Sequence, residues 1–295
     1  MTYSIVARNP TTGELGVAVQ SHWFSVGPIV PWAMPGVGAV ATQANVEVGY
    51  GPHGLALMQG GLDAASALKR MVDADPGAAH RQVAIVDAAG RVAAHTGASC
   101  VPEAGHVTGD GVSCQANIMA SAQVWPSTLS AFEQTKGSLL ERLLAALDAA
   151  ELAGGDIRGR QSAAVVVVPA KGEGWESVIS LRVEDHPEPL LELRRLVALR
   201  EAYELAGQAD ELAAAGRHQE AARLYEQASQ RAPGNHELLF WAGLGAAQSG
   251  DLDTAIARVR RAITMQPGWE TLLSRLPADV APSARSVLAR LSEEA

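Results

Sequence analysis

Residue 2 of the chain is a threonine directly behind Met1, in the opening stretch MTYSIVARNPTTGELGVAVQS. A small second residue permits removal of the initiator Met, which leaves Thr2 carrying a hydroxyl and a free α-amine. That combination is the chemistry of an N-terminal nucleophile: Oγ attacks, and an amine of pKa ~7.7–8.0 takes the proton. Threonine is also an ordinary strand former, so the surrounding residues must separate the two roles.

Tyr3–Arg8 and Leu15–Ser21 are two β-rich runs around Asn9-Pro10-Thr11-Thr12-Gly13-Glu14, a turn in which Pro bends the chain and Gly takes positive φ. If Arg8 faces Leu15, antiparallel counting puts Ser21 opposite Thr2, at the ~5 Å of cross-strand partners. A second hydroxyl then stands beside the first.

Further along, His95 in AAHTG and His106 in AGH have the chemistry to orient a carboxylate or an amine, against the commoner role of a histidine satisfied at a strand end. Gln115 and Asn117 in SCQANIM are amide donors suited to a pocket or to loop capping. In GGDIRGRQS, Asp156 and Arg158 form either a structural ion pair or a clamp for an anionic group. Cys100 and Cys114 have neither CxxC nor zinc-site spacing and read as two buried thiols. Lysine occurs only at 69, 136 and 171.

These residues need a scaffold. Gly36–Ala41 predicts a small, apolar strand running into Thr42-Gln43-Ala44-Asn45. Helices are predicted from about Gly54 to Gln59 and from an Asp63 N-cap to Asp73. Gln82–Asp87 and Arg91–His95 bracket a hairpin turn, and Ser138-Leu139-Leu140-Glu141 is a capping box opening a helix that Gly154-Gly155 ends. Ser162–Pro169 and Val178–Val183 close the region as strands.

Two prolines in Asp185-His186-Pro187-Glu188-Pro189 mark a boundary, giving an N-terminal domain over 1–188 and a helical region over 189–295. Within the latter, GRHQEAARLYEQASQRAPGN and GDLDTAIARVRRAITMQPGW recur 34 residues apart, the period of tetratricopeptide helix pairs, spanning about 205–272. Two units are fewer than a free-standing solenoid needs. The helices are therefore expected to lean on the first domain or on another subunit, with Leu190–Leu212 as a further packing face.

With 295 residues, 47% hydrophobic content and 19% charged residues, the chain reads as a globular protein of one large domain plus a smaller one. A net charge of −9 argues against a nucleic-acid partner, which requires clustered Lys and Arg. No apolar run approaches the ~20 residues of a membrane span and no leader pattern precedes the first strand; the expectation is a cytoplasmic protein with no membrane partner. GxxxxGK[ST], strand-linked GxGxxG, HxxH and HExxH patterns are lacking, so no cofactor and no metal are called for.

The blocks MTYSIVARNPTTGELGVAVQS, VPWAMPGVGAVATQA, YGPHGLALMQGG, RQVAIVDAAGRVAAHTGASC, AGHVTGDG and AGGDIRGRQSAAVVVV resemble, in order and spacing, domain of unknown function 1028, a bacterial and archaeal family of the Ntn-hydrolase superfamily. The resemblance covers about residues 2–200. It implies an α+β fold, a four-layer α-β-β-α sandwich with the nucleophile at the start of the first strand, followed here by the all-α tetratricopeptide-like region. It also implies an amidohydrolase cleaving an amide-type C–N bond of a small amide or peptide, with Thr2 as nucleophile. Oxyanion donors are expected at Thr42, Gln43 and Ala44, where proteasome-like relatives carry theirs. Asn45-Val46-Glu47-Val48 departs from the aromatic-plus-Asn continuation of many relatives, which bears on specificity at Asn45. No lysine stands where proteasome-type enzymes have one, so proton handling falls to the amine, Ser21, Arg8 or a water. The alternative is a non-catalytic scaffold whose repeats bind a protein partner or a second subunit, as in a homodimer.

Overall fold

The computed structural model describes residues 2–293. The first hairpin pairs β1 (Thr2–Arg8) with β2 (Leu15–Ser21) in the register Arg8 to Leu15 and Tyr3 to Gln20. Asn9 nucleates its turn by accepting the Thr11 N–H at 3.0 Å, and Gly13 has φ +76°. β3 (Pro31–Met34), β4 (Gly38–Ala44), α1 (Tyr50–Gln59) and α2 (Ala64–Ala74) follow. Asp63 caps α2 through the Ser66 N–H at 2.7 Å, as its sequence predicts. Then come β5 (Arg81–Asp87), β6 (Val92–Thr96), β7 (Gly105–Gly109), β8 (Val112–Asn117), α3 (Val124–Gln134), α4 (Leu139–Leu152), β9 (Ser162–Val168) and β10 (Ile179–Val183). Both halves of the Ser138–Glu141 capping box are formed at the start of α4.

These strands make two antiparallel sheets, a six-stranded one ordered β10-β9-β2-β1-β8-β7 and a four-stranded one ordered β3-β4-β5-β6. The sheets face each other, with α3 and α4 over the outer side of the first and α1 and α2 over the outer side of the second. This is the four-layer α-β-β-α sandwich. β1 lies inside the six-stranded sheet, flanked by β2 and β8. Strand alternation sends Val6, Val17 and Val19 of the first sheet against Ala39, Ala41, Ala84 and Val86 of the second, all 0% exposed.

The sequence reading missed β3, β7, β8 and α3. β8, VSCQAN, is small and polar where strand reading seeks branched apolar residues. It is nonetheless central and wholly buried.

The chain divides into two compact units after Arg194, inside α5 (Pro189–Ala214). Pro189 does not break the chain; it is the first residue of that helix, a position where its missing N–H costs nothing. Leu193 is fully buried and Arg194 is ion-paired with Asp148 of α4, so the first turn belongs to the first unit. In the second unit, α6 (His218–Arg231), α7 (His236–Gln248), α8 (Leu252–Met265), α9 (Gly268–Arg275) and α10 (Ala284–Glu293) each pack against the next in chain order, and α10 also reaches α7 and α8. The repeat explains the packing: Ala221 and Ala255, and Ala228 and Ala262, are buried at equivalent helix crossings, and Gly216 and Gly250 take φ +75° and +98° in equivalent turns. Ala202, Ala206 and Ala209 of α5 supply a face to α6 and α7. Among the described residues, no helix is long and apolar enough to cross a membrane.

Candidate active site

Thr2 opens β1 and is buried, with 4% of its surface exposed. Its Oγ1 is hydrogen-bonded to Ser21 Oγ at 3.0 Å, the juxtaposition that antiparallel counting requires. On its other side the register partner is Asn117 of β8. The Thr2 carbonyl accepts N–H groups from Gln43 Nε2 at 3.2 Å and Asn117 Nδ2 at 3.4 Å. The hydroxyl thus faces Ser21, while the backbone is held from both sheets.

Those two amides belong to a continuous buried chain. Ser113 Oγ donates to Gln115 Oε1 (2.9 Å), Gln115 Nε2 to Ser4 Oγ (2.6 Å), Ser4 Oγ to Gln43 Oε1 (2.6 Å) and Gln43 Nε2 to Gln82 Oε1 (2.7 Å). Asn117 Nδ2 also donates to Gln82 Oε1 at 2.9 Å, and Gln82 Nε2 donates to Thr96 Oγ1 at 2.9 Å and to the Ala116 carbonyl at 2.9 Å. Thr96 is bonded in turn to His106 Nδ1 at 2.8 Å. Desolvation, with a smaller contribution from His95, lowers the His106 pKa. Gln82 Oε1 takes donors from both Gln43 and Asn117, so the amides share partners and cannot rotate independently.

Asp156 holds the Ser21 side. Its carboxylate accepts the His22 N–H at 3.1 Å, fixing the end of β2, and Arg158 closes on it through backbone and guanidinium N–H groups at 3.0–3.2 Å. The Asp156 side chain is fully buried, and Met119 beyond β8 bridges to it in the backbone. Tyr3, pointing away from the second sheet, donates to Glu151 of α4 at 2.7 Å, and burial pushes its pKa up.

Several expected site residues stand elsewhere. Arg8 is at the far end of β1, about 20 Å from Thr2 at ~3.4 Å per residue, and handles no proton there. Thr42 alternates with Gln43 and so faces the helices; its hydroxyl donates to the Glu47 carbonyl at 3.0 Å and its N–H to the Val30 carbonyl. His95 pairs with Val83 on the helix-facing side and is bonded to the Ala78 carbonyl at 2.8 Å. Gln43 is at Thr2, but both of its N–H groups are engaged within the chain, so it positions the residue and has no donor to spare for an oxyanion. Asn45 lies just past β4, exposed, its N–H and carbonyl used by His80 and Arg81. Cys114 is buried and Cys100 only half-buried.

Ser4, Gln82, Thr96 and Ser113 were not singled out from sequence. The signal was the period of two: T-x-S in β1 and S-x-Q-x-N in β8 put polar side chains on one face of each strand.

Residues 2–193 match the model of the family described as "Family of unknown function (DUF1028)", and the chain belongs to that family. Residues 212–278 match a tetratricopeptide-repeat model. Among solved structures, a Silicibacter pomeroyi protein of the same family is 31% identical with a TM-score of 0.62, over 66% of this chain and 87% of that one. Anbu (ancestral beta-subunit) from Yersinia bercovieri is 12% identical with a TM-score of 0.33, over 65% of this chain and 91% of that one. No curated protein matches the chain significantly.

Proposed function

We propose that the first unit is an N-terminal-nucleophile amidohydrolase that cleaves an amide-type C–N bond through Thr2. The observation that carries this reading is the buried Thr2 Oγ1 bonded to Ser21 Oγ at the start of a central strand, with the Thr2 carbonyl gripped by Gln43 and Asn117. Once Met1, which lies outside the described residues, is removed, the α-amine is free to accept the Oγ proton. Oγ then bonds to the substrate carbonyl carbon, the proton passes to the departing nitrogen as the C–N bond breaks, and water hydrolyses the resulting ester. Intact-mass measurement is the first test: loss of Met1 is expected, and a mature protein that keeps it overturns the reading. A hydroxyl-reactive acylating probe should then label Thr2 in the wild type and in Thr2→Ser, and fail in Thr2→Ala.

A second role for the helical unit rests on its groove of about 840 Å³, lined by Tyr203, Tyr225, Trp241, Asp210, Glu237 and Asp279 without any lysine or arginine. Tyr203 and Tyr225 donate to Glu237 and Asp210, which orients both carboxylates in the wall. Acids beside aromatic faces suit an arginine- or lysine-bearing peptide segment of a partner protein. Full-length protein should bind an arginine-rich peptide in a salt-sensitive way and ignore its glutamate counterpart. Equal binding of both removes this role.

A further inference from the structure

The half-buried arginines of this chain are answered by a neighbour, with one exception. Arg81 is paired with Asp75 at 2.9 Å, Arg158 with Asp156 at 3.1 Å, and Arg258 with Glu226. Arg142 donates to the Phe132 carbonyl at 3.2 Å and lies over the Phe132 ring. Arg8 is equally half-buried, yet among the described residues its guanidinium has no hydrogen-bond or ion-pair partner. Its Nε is closed off from solvent and unbonded. A charge that loses water and gains no counter-charge is an uncompensated cost of folding.

The surroundings show how the guanidinium is presented. Arg8 ends β1, and alternation from Thr2, Ser4 and Val6 turns its side chain into the space between the sheets, at the end opposite Thr2. The Gly111 carbonyl takes the Arg8 N–H at 2.8 Å, which fixes the root of the side chain. Two hairpin turns then frame its tip. A Cβ on Gly13, in the β1–β2 turn, would stand 3.8 Å from Nη2, and one on Gly90, in the β5–β6 turn, 3.9 Å from Nη1. Glycine at both places leaves the tip uncovered. Of the three nitrogens only Nε is shut in, so Nη1 and Nη2 form an open edge between the turns.

The acids of these turns do not serve it. Asp87 accepts the N–H groups of Ala64, Ala89 and Arg91 and the Arg91 Nε–H. Glu14 accepts the Thr12 hydroxyl at 2.8 Å. Asp110, beside Gly111, is exposed and makes no ion pair with Arg8. Lys171 adds a second positive charge, because it follows Ala170, whose Cβ stands 2.8 Å from the place a Gly13 Cβ would take. In a chain of net charge −9 this is a local excess of base.

We propose that the opening between these turns is an anion site, in which the Nη1–Nη2 edge of Arg8 holds a small oxyanion, a carboxylate or a phosphate. A planar guanidinium offers two parallel N–H groups to two oxygens, a geometry that both anions satisfy. Its charge is delocalised over all three nitrogens, so an anion on the open edge also stabilises the closed one. The site is at the other end of β1 from Thr2 and does not rest on the proposed reaction.

The test is an NMR titration of full-length protein carrying isotopically labelled arginine, with sodium acetate and, separately, sodium phosphate, sodium chloride holding the ionic strength constant. The Arg8 Nε–H signal is identified by its loss in Arg8→Lys or, if that variant does not fold, by through-bond correlation to the Arg8 backbone. It is expected to shift saturably at millimolar anion, while the Nε–H signals of Arg81 and Arg158, already bonded to carboxylates, stay in place. Saturation by acetate alone assigns the site to carboxylates, by phosphate alone to phosphates, and by both to the oxyanion geometry they share. A linear drift without saturation, or equal shifts at Arg81 and Arg158, overturns the site. Asp110→Asn checks for a partner within the chain. If that substitution, with chloride only, moves the Arg8 signal as far as acetate moves it in the wild type, Asp110 is the counter-charge and the anion site falls.

Discussion

The space between the two sheets is filled differently at its two ends. Around Val6, Val17, Val19, Ala41 and Val86 the sheets meet through apolar side chains with no directional contact. Around Ser4, Gln43, Gln82, Gln115 and Asn117 they meet through a chain of hydrogen bonds, and these residues are as fully buried as the valines. Apolar packing tolerates small shifts at modest cost, whereas a buried amide that loses its partner keeps its whole desolvation penalty. The amide end therefore fixes positions that the valine end leaves adjustable. Thr2 is at the amide end.

The sharpest way to test that contrast is at the residue the amides hold. Thr2→Ala should abolish acylation of residue 2 while the thermal transition remains near wild type, because only one buried hydroxyl bond is lost. Retained labelling at residue 2 would separate the amide chain from any reaction.

Next in size is Gln82→Leu, which takes the shared acceptor from an N–H of Gln43 and an N–H of Asn117. Denaturant unfolding should show a loss of about 2–4 kcal/mol, and Thr2 acylation should fall with it. Val17→Ala at the other end is expected to cost about 2 kcal/mol as a cavity, with Thr2 acylation per folded molecule unchanged. If both variants reduce acylation alike, the two ends do not differ in the way described.

The smallest effect lies at the outer terminus of the chain of amides. His106 Nδ1 is bonded to Thr96 Oγ1, and desolvation lowers its pKa below the ordinary 6.5. A base with a depressed folded pKa contributes stability that is present above its unfolded pKa and is lost as pH falls through the folded value. Stability should therefore decline on acidification below about 6.5, and His106→Gln should flatten that decline in melts recorded across pH. A parallel decline in the variant would assign it to other groups.

Much of the fold was legible in the chain because its elements carry local signals. The Asn9–Gly13 turn fixes the first hairpin and its register, the Asp63 and Ser138 caps start their helices, and the recurrence of Ala221 and Ala228 at Ala255 and Ala262 gives the helical repeat. β8 was not legible as a strand, since its side chains are chosen for partners in another sheet and resemble those of a loop. The candidate site divides in the same way. Ser21 followed from hairpin counting, a local relation. Thr42, Arg8 and His95 were misplaced because nearness in sequence or in motif says nothing of which strand face, or which strand end, a side chain occupies.

By itself the sequence determined that a threonine follows Met1, that a second hydroxyl lies opposite it, and that a repeat of helix pairs follows the first domain, because each depends on residues joined by a short turn or a fixed period. Only the tertiary structure decided that Gln43, Gln82 and Asn117 meet at Thr2. They come from β4, β5 and β8, and strands so far apart in the chain are brought together by the burial of two sheets against each other, which no local pattern encodes.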